Sequence, residues 1–364
     1  MNKLYGAVKR VIPGISVAIL SLVVGSAAVY AATNTFNSQQ VELGTRTGGA
    51  VVVADTSASG GNAVRFAENP APTGELMGWE INPTNIGLAP HGLSCDTLPE
   101  YTGSTTPPDG TVISERRITQ PLYVYRGNIT ITKSCIKTTS NGPYGMITTW
   151  DTLCPHPQCV EEALGQVTIT DSEFDGSLMT NQQVAYTAAF MGVAILERNY
   201  IHDFGSGIAF YKTGTQNTAA AINNYVEKMR AYGNPATTGS HNESFTIRDY
   251  NTSGNPSRTM AVRGNYFKID SGNDTGSLFL QAYAGFINNV TVENNYLLGS
   301  GYQLILEYHN AGYGNNMRSI NNRFTSTGFG PGYTTGGSGW AQWTDNHIYN
   351  AGQPGGKGAI VSQP

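Results

Sequence analysis

The chain has 364 residues, among them 44 Gly and 20 Tyr, with 13% charged side chains and a formal net charge of −4. This is the composition of a turn-rich β protein, since helical proteins carry more Glu, Lys and Leu. The small negative charge and the lack of any basic block argue against nucleic-acid binding.

Lys3, Lys9 and Arg10 make a basic start, and Val11 to Ala31 is an uncharged apolar run ending in Val29-Tyr30-Ala31, a pattern suited to signal peptidase. The run is also long enough to span a bilayer with its basic end inside. Residues 1–31 are therefore either a signal peptide or a membrane anchor. Both readings export the remainder, which is then secreted or held at the cell surface, with the membrane touched only through this segment. In an oxidising compartment the four cysteines pair: Cys154 and Cys159 as a loop staple, leaving Cys95 with Cys135. A metal site at Cys154, His156 and Cys159 is the alternative, but it lacks a second ligand pair at the usual spacing.

Residues 32–81 form a linker containing a partial β-sandwich-like stretch. Val41 to Phe66, through the Glu42 region and Ser59-Gly60-Gly61-Asn62-Ala63-Val64-Arg65-Phe66, resembles the opening strands of carbohydrate-binding modules of the jelly-roll type. The likeness stops at Asn69-Pro70-Ala71-Pro72, too early to close a sandwich, so a stalk is expected. Asn85 to Gly103, followed by Gly110-Thr111-Val112-Ile113-Ser114, resembles the opening of secreted bacterial right-handed β-helix proteins of the pectate-lyase-like superfamily. The resemblance covers residues 82–350 and implies that the opening segment caps the first coil, whose core and strand edge would otherwise be bare.

From Gly127 onward the chain repeats one pattern, clearest at Val290-Thr291-Val292-Glu293-Asn294-Asn295-Tyr296-Leu297. The Ser or Asn before the aromatic or apolar pair recurs at 134, 172, 199, 224, 265, 295, 322 and 346, with Ser244 to Asn251 read as a degenerate copy inside the longest step. Short strands of period-2 alternation, repeated without intervening helix, predict a solenoid whose stacked coils share one core. An antiparallel sandwich or propeller also uses short strands, but hairpin signals are few: Asp109-Gly110, Asn141-Gly142 and Asp175-Gly176. The fold expected is an all-β, right-handed, single-stranded parallel β-helix over 82–350 with a flexible tail at 351–364. Asn at the bend tolerates left-handed backbone, and its amide can bond to the next coil, predicting a ladder along the axis.

The superfamily resemblance implies a flank groove for an extended polysaccharide. A lyase needs a base beside a uronate carboxylate and a cation, Ca²⁺ or Arg/Lys, for the enolate-like charge; a hydrolase needs two carboxylates. His241 and Glu243 are the candidate bases and Arg248 the candidate cation, with Lys212, Glu307 and His309 as a second catalytic set, all meeting on one flank if the coils are in register. The bland alternative for His241 and Glu243 is a hydrogen-bonded corner. Tyr211, Arg230, Tyr283 and Tyr308 are the candidate substrate contacts. His202-Asp203 reads as a turn-stabilising pair, and Asp171, Glu173 and Asp175 as a solvated turn or a Ca²⁺ site. The function expected is a carbohydrate-active protein, a polysaccharide lyase ahead of a hydrolase; the alternative is a glycan-binding adhesion or structural protein without catalysis.

Overall fold

A computed structural model describes residues 50–54, 62–66, 76–150, 163–250, 252 and 254–364. The leader and the Cys154–Cys159 staple lie outside the described residues. The chain divides into two units, residues 1–70 and 71–364. In the first, Ala50–Ala54 pairs antiparallel with Asn62–Phe66 as a two-stranded hairpin.

In the second unit, successive strands are dealt in rotation to three sheets, and each strand pairs in parallel with the strand one coil later. The first sheet takes Val112–Ser114, Ile129–Thr132, Val167–Thr170, Ile195–Glu197, Ala220–Ile222, Met260–Arg263, Val290–Glu293, Met317–Ile320 and Gln342–Thr344. The second takes Arg117–Ile118, Cys135–Lys137, Glu173–Asp175, Tyr200–His202, Tyr225–Glu227, Tyr266–Ile269, Tyr296–Gly299, Arg323–Phe324 and His347–Tyr349. The third takes Leu122–Tyr123, Gly145–Thr148, Ala188–Gly192, Ser206–Phe210, Asn242–Ile247, Asp274–Gln281, Tyr302–Glu307 and Gly330–Thr335. This is an all-β architecture of three parallel sheets, compatible with a β-helix solenoid.

Each strand alternates because its inner residue meets the same position one coil away. The inner row of the second sheet runs Ile118, Ile136, Phe174, Ile201, Val226, Phe267, Leu297, Phe324. It joins rows from the other two sheets in one continuous core.

The corner between the first and second sheets holds the ladder. The backbone N–H of each anchor donates to the side-chain oxygen of the next, Ser134 to Ser172, Ser172 to Asn199, Asn199 to Asn224, Asn224 to Asn265, Asn265 to Asn295, Asn295 to Asn322 and Asn322 to Asn346, at 2.8–3.1 Å. The two tasks expected of one Asn are split between neighbours. The residue before each anchor takes the left-handed conformation, as in Lys133, Asp171, Arg198, Asn223, Gly264, Asn294, Asn321 and Asp345, with φ between 48° and 64°. The anchor itself is free to turn its amide inward.

Three expectations need correcting. Asn242–Ile247 is a third-sheet strand, not a degenerate ladder corner; the long step arises from the loop 228–241. A short helix, Asn181–Ala185, interrupts the all-strand pattern, started by a capping box between Thr180 and Gln183. Residues 351–364 are no loose tail: Lys357–Ile360 pairs antiparallel with His347–Tyr349, and Val361 enters the core.

The opening segment divides its work. Residues 100–105 close the first coil, with Tyr101 N–H donating to Arg117 and Tyr123 N–H to Thr105. Residues 76–99 instead form a strap along the second sheet's outer flank. Trp79 lies against the Arg323 guanidinium at 4.4 Å, Gly78 N–H donates to Asn294 and Gly87 N–H to Arg198, and Cys95 is disulfide-bonded to Cys135. Ile81 and Ile86 pack on Tyr200, Tyr225 and Tyr266 beneath it.

Candidate functional site

Two outer faces collect ionisable side chains. On the third sheet, Arg248 follows Ile247, which pairs with Leu280, so Arg248 stands beside Gln281, and Gln281 pairs with Glu307. The side chains join accordingly: the Arg248 guanidinium donates to the Gln281 amide oxygen, and the Gln281 amide nitrogen donates to the Glu307 carboxylate. The guanidinium also lies 5.9 Å from the Phe279 ring.

Glu243 sits five residues earlier on the same strand. Strand alternation groups it with Phe245, and the two keep register with Gly276 and Leu278. Its carboxylate lies 3.9 Å from Arg248 and accepts from the Ser206 hydroxyl at 3.4 Å. It is 4% exposed, and burial pushes its pKa up against the opposing pull of Arg248. A carboxyl lifted towards neutrality beside a fixed cation is suited to proton transfer.

The other candidates are placed as follows. Tyr211 and Lys212 follow the strand Ser206–Phe210; the Tyr211 ring meets Trp150 edge-on at 5.5 Å, and Lys212 lies 5.9 Å from the same Trp ring. His309 and Tyr283 pair at 5.0 Å, and Tyr308 is exposed beside Tyr313. His241 is exposed, with Nε2 3.1 Å from the Pro235 carbonyl oxygen. Arg230 braces a loop, donating to the Asn181 side chain and to the carbonyls of Gly176 and Met179. The structure thus gathers Glu243, Arg248 and Glu307 on one face, while Arg230 and His241 are engaged with loop backbone. Gln281, which links two of the three, was missed; its signal is its place in register between them.

The second sheet carries a denser set. Lys137, Asp175, His202 and Glu227 form one outer row. The Lys137 ammonium is 2.8 Å from Asp175. The His202 ring stacks on Tyr200 at 4.4 Å, with Nδ1 2.7 Å from Asp203 and Nε2 3.2 Å from Glu173. Burial alone would lower the His202 pKa, but Asp203, Glu173 and Asp175 outweigh it and raise it to about 9. Tyr200 OH donates to Glu227 at 2.9 Å and accepts from Lys228 at 3.1 Å. Asp171 is held by Arg198 at 2.7 and 2.9 Å; burial raises its pKa, but Arg198 and His91 bring it below the usual carboxylate range.

Asp171 faces Arg198, whereas Glu173 and Asp175 both reach His202, at 3.2 and 4.0 Å, with Asp175 also paired to Lys137. Asp175, His202 and Asp203 offer ligand atoms within 4.8 Å of one another. The protonated His202 and the Lys137 ammonium already balance that negative charge, so the donor set fits a salt-bridge network better than Ca²⁺. The turn-stabilising reading of His202-Asp203 captured one contact of four. Comparison with protein-family models, curated proteins and solved structures finds no match.

Proposed function

We propose that the chain is an exported, right-handed parallel β-helix of the pectate-lyase-like kind that holds an extended, uronate-containing polysaccharide along the outer face of its third sheet and cleaves it by elimination. The hand is the one nearly always taken by parallel crossovers. Export is supported by the Cys95–Cys135 disulfide, a bond that persists in oxidising compartments.

One observation carries the reading: a buried, pKa-raised Glu243 within 3.9 Å of Arg248 on an outer sheet face. In the proposed step Glu243 removes the proton from the carbon beside the uronate carboxylate. The electron pair forms the new carbon–carbon double bond as the glycosidic oxygen leaves and takes a proton from water, and the proton held by Glu243 then neutralises the hydroxide left behind. Arg248, held by Gln281, offsets the enolate-like charge that builds on the carboxylate. Hydrolysis by two carboxylates is less well supported. Glu243 and Glu307 are two strands apart and displaced along them, and Arg248 and Gln281 lie between.

A second reading, glycan holding without catalysis, is favoured by the slight exposure of Glu243 and its existing partner. Residues 33–364 incubated with uronate-containing and neutral polysaccharides, with and without Ca²⁺, separate the two. Unsaturated product seen by ultraviolet absorbance, lost in Glu243→Gln and Arg248→Ala, is the expected outcome. New reducing ends without unsaturation would mean hydrolysis, and retention without cleavage would leave the binding reading.

A further inference from the structure

The third sheet's outer face ends in an aromatic platform that the elimination step does not use. Tyr302 and Tyr333, from adjacent strands, stack with ring centroids 4.9 Å apart and planes 19° apart. Phe329 adds a third ring 5.6 Å from Tyr302. Phe329 is 73% exposed and Tyr333 43% exposed, so the rings face solvent.

The presentation is built into the backbone. Phe329 stands between Gly328 and Gly330, whose φ values of 69° and 127° suit glycine. A Cβ on Gly328 would lie 2.3 Å from the Ser300 carbonyl oxygen, so no larger residue fits there. Holding a large apolar ring mostly in water on so constrained a turn, with only the Tyr302 ring against it among the described residues, buries little apolar surface for this chain. From Thr325 to Gly339 there is no charged residue. The same face does carry charge elsewhere: Arg248 lies over Phe279, and Phe279 pairs with Ile305, which pairs with Tyr333.

We infer that the Tyr302–Phe329–Tyr333 platform is a subsite for the C–H face of a neutral pyranose, so that the polysaccharide held by this face alternates uronate and neutral sugars. The inference rests on the proposed glycan-binding face and specifies its substrate class. Uncharged aromatic rings suit an apolar sugar face and give a carboxylate no partner, whereas the guanidinium end suits the uronate. Arg248 lies two strands across and five residues along from Tyr302, and three strands across and two residues along from Tyr333, about 15–20 Å between backbones at the usual strand spacing and rise. One chain can span both ends.

The test is affinity electrophoresis and calorimetry of residues 33–364 with two size-matched oligosaccharides, one alternating uronate and neutral hexose, the other all uronate. Wild type is expected to prefer the alternating chain. Phe329→Ala and Tyr333→Ala should each weaken that binding about tenfold, the loss of one well-placed aromatic anchor, and leave the all-uronate chain within twofold. Tyr186→Ala, an exposed ring outside the platform, serves as the control. If wild type binds acidic glycans and the platform variants bind both chains as wild type does, the subsite is wrong and the glycan-binding face stands. If wild type binds no polysaccharide, the face itself is wrong and the subsite falls with it. Self-association of wild type that Phe329→Ala abolishes, with glycan binding unchanged, would instead make the platform a contact between copies.

Discussion

The second and third sheets belong to the same coils, yet their outer faces are used in opposite ways. On the second, ionisable side chains neutralise one another: Lys137 with Asp175, His202 with Asp203 and Glu173, Tyr200 with Glu227 and Lys228, all beside a strap fixed by a disulfide. On the third, the Arg248–Gln281–Glu307 chain is flanked by exposed aromatics, and no comparable strap covers it among the described residues. The denser cluster has its partners within the chain, whereas the sparser one leaves Tyr283 and Tyr308 exposed beside it, which is where the proposal places a ligand.

The largest expected effects lie on the braced side. Asn295→Leu removes an amide that donates to the Val262 carbonyl at 2.8 Å and to the Asn322 side chain at 3.0 Å, and accepts from Asn265. It leaves buried donors and acceptors in neighbouring coils without partners, at a cost of about 3–5 kcal/mol. A lowered urea midpoint with unchanged slope is the signature; a midpoint within experimental error of wild type would mean that the ladder is dispensable.

Next comes the strap. Replacing Cys95 and Cys135 with Ser opens a loop of 40 residues and should lower stability by about 2–4 kcal/mol. Limited proteolysis should then cut first between residues 76 and 99. Cleavage elsewhere, at the wild-type rate, would contradict the strap's dependence on the disulfide.

The same side should respond to pH. His202 has its folded pKa raised to about 9 from an ordinary 6.5, so its contribution is complete below pH 6.5 and is lost as pH rises through 9. The contribution is of the order of 2–3 kcal/mol for so buried a ring. Wild type should lose stability between those limits, and His202→Gln should show a flatter profile over that window. Parallel profiles for the two proteins would remove His202 from the account.

These contrasts also mark what the sequence could tell. The ladder anchors were legible one by one because a buried amide bonding to its own copy must recur at every coil. The strands between them were legible as alternating runs. The Lys137, Asp175, His202, Glu227 row was equally available, since each lies three residues after an anchor, at 134, 172, 199 and 224. It went unread because His202 and Asp203 were taken only as neighbours in sequence, while Glu173 and Asp175 also reach the His202 ring from one coil away. The strap was not legible: the spacing of residues 76–99 says nothing of the flank they cross, and only Cys95 hints at where the segment attaches. Parity with Phe245 and Ile247 places Glu243 either at the turn rim or buried with a partner, and it is buried with Arg248 and Ser206 as partners.

The smallest stability effect is expected where the functional effect is expected to be large. Gln281→Ala removes the amide between Arg248 and Glu307. Both partners are partly exposed, so water replaces the lost bonds and stability should change by less than about 1 kcal/mol. Arg248 would remain near Glu243 but lose the contact that fixes its orientation towards the proposed uronate. If the face is catalytic, kcat should fall while the affinity for the alternating oligosaccharide changes little, because orientation matters most as charge develops. If the face only holds glycan, affinity alone should fall. A loss of several kcal/mol in stability would show instead that Arg248, Gln281 and Glu307 brace the third sheet as the ionic network braces the second, and the contrast between the two flanks would disappear.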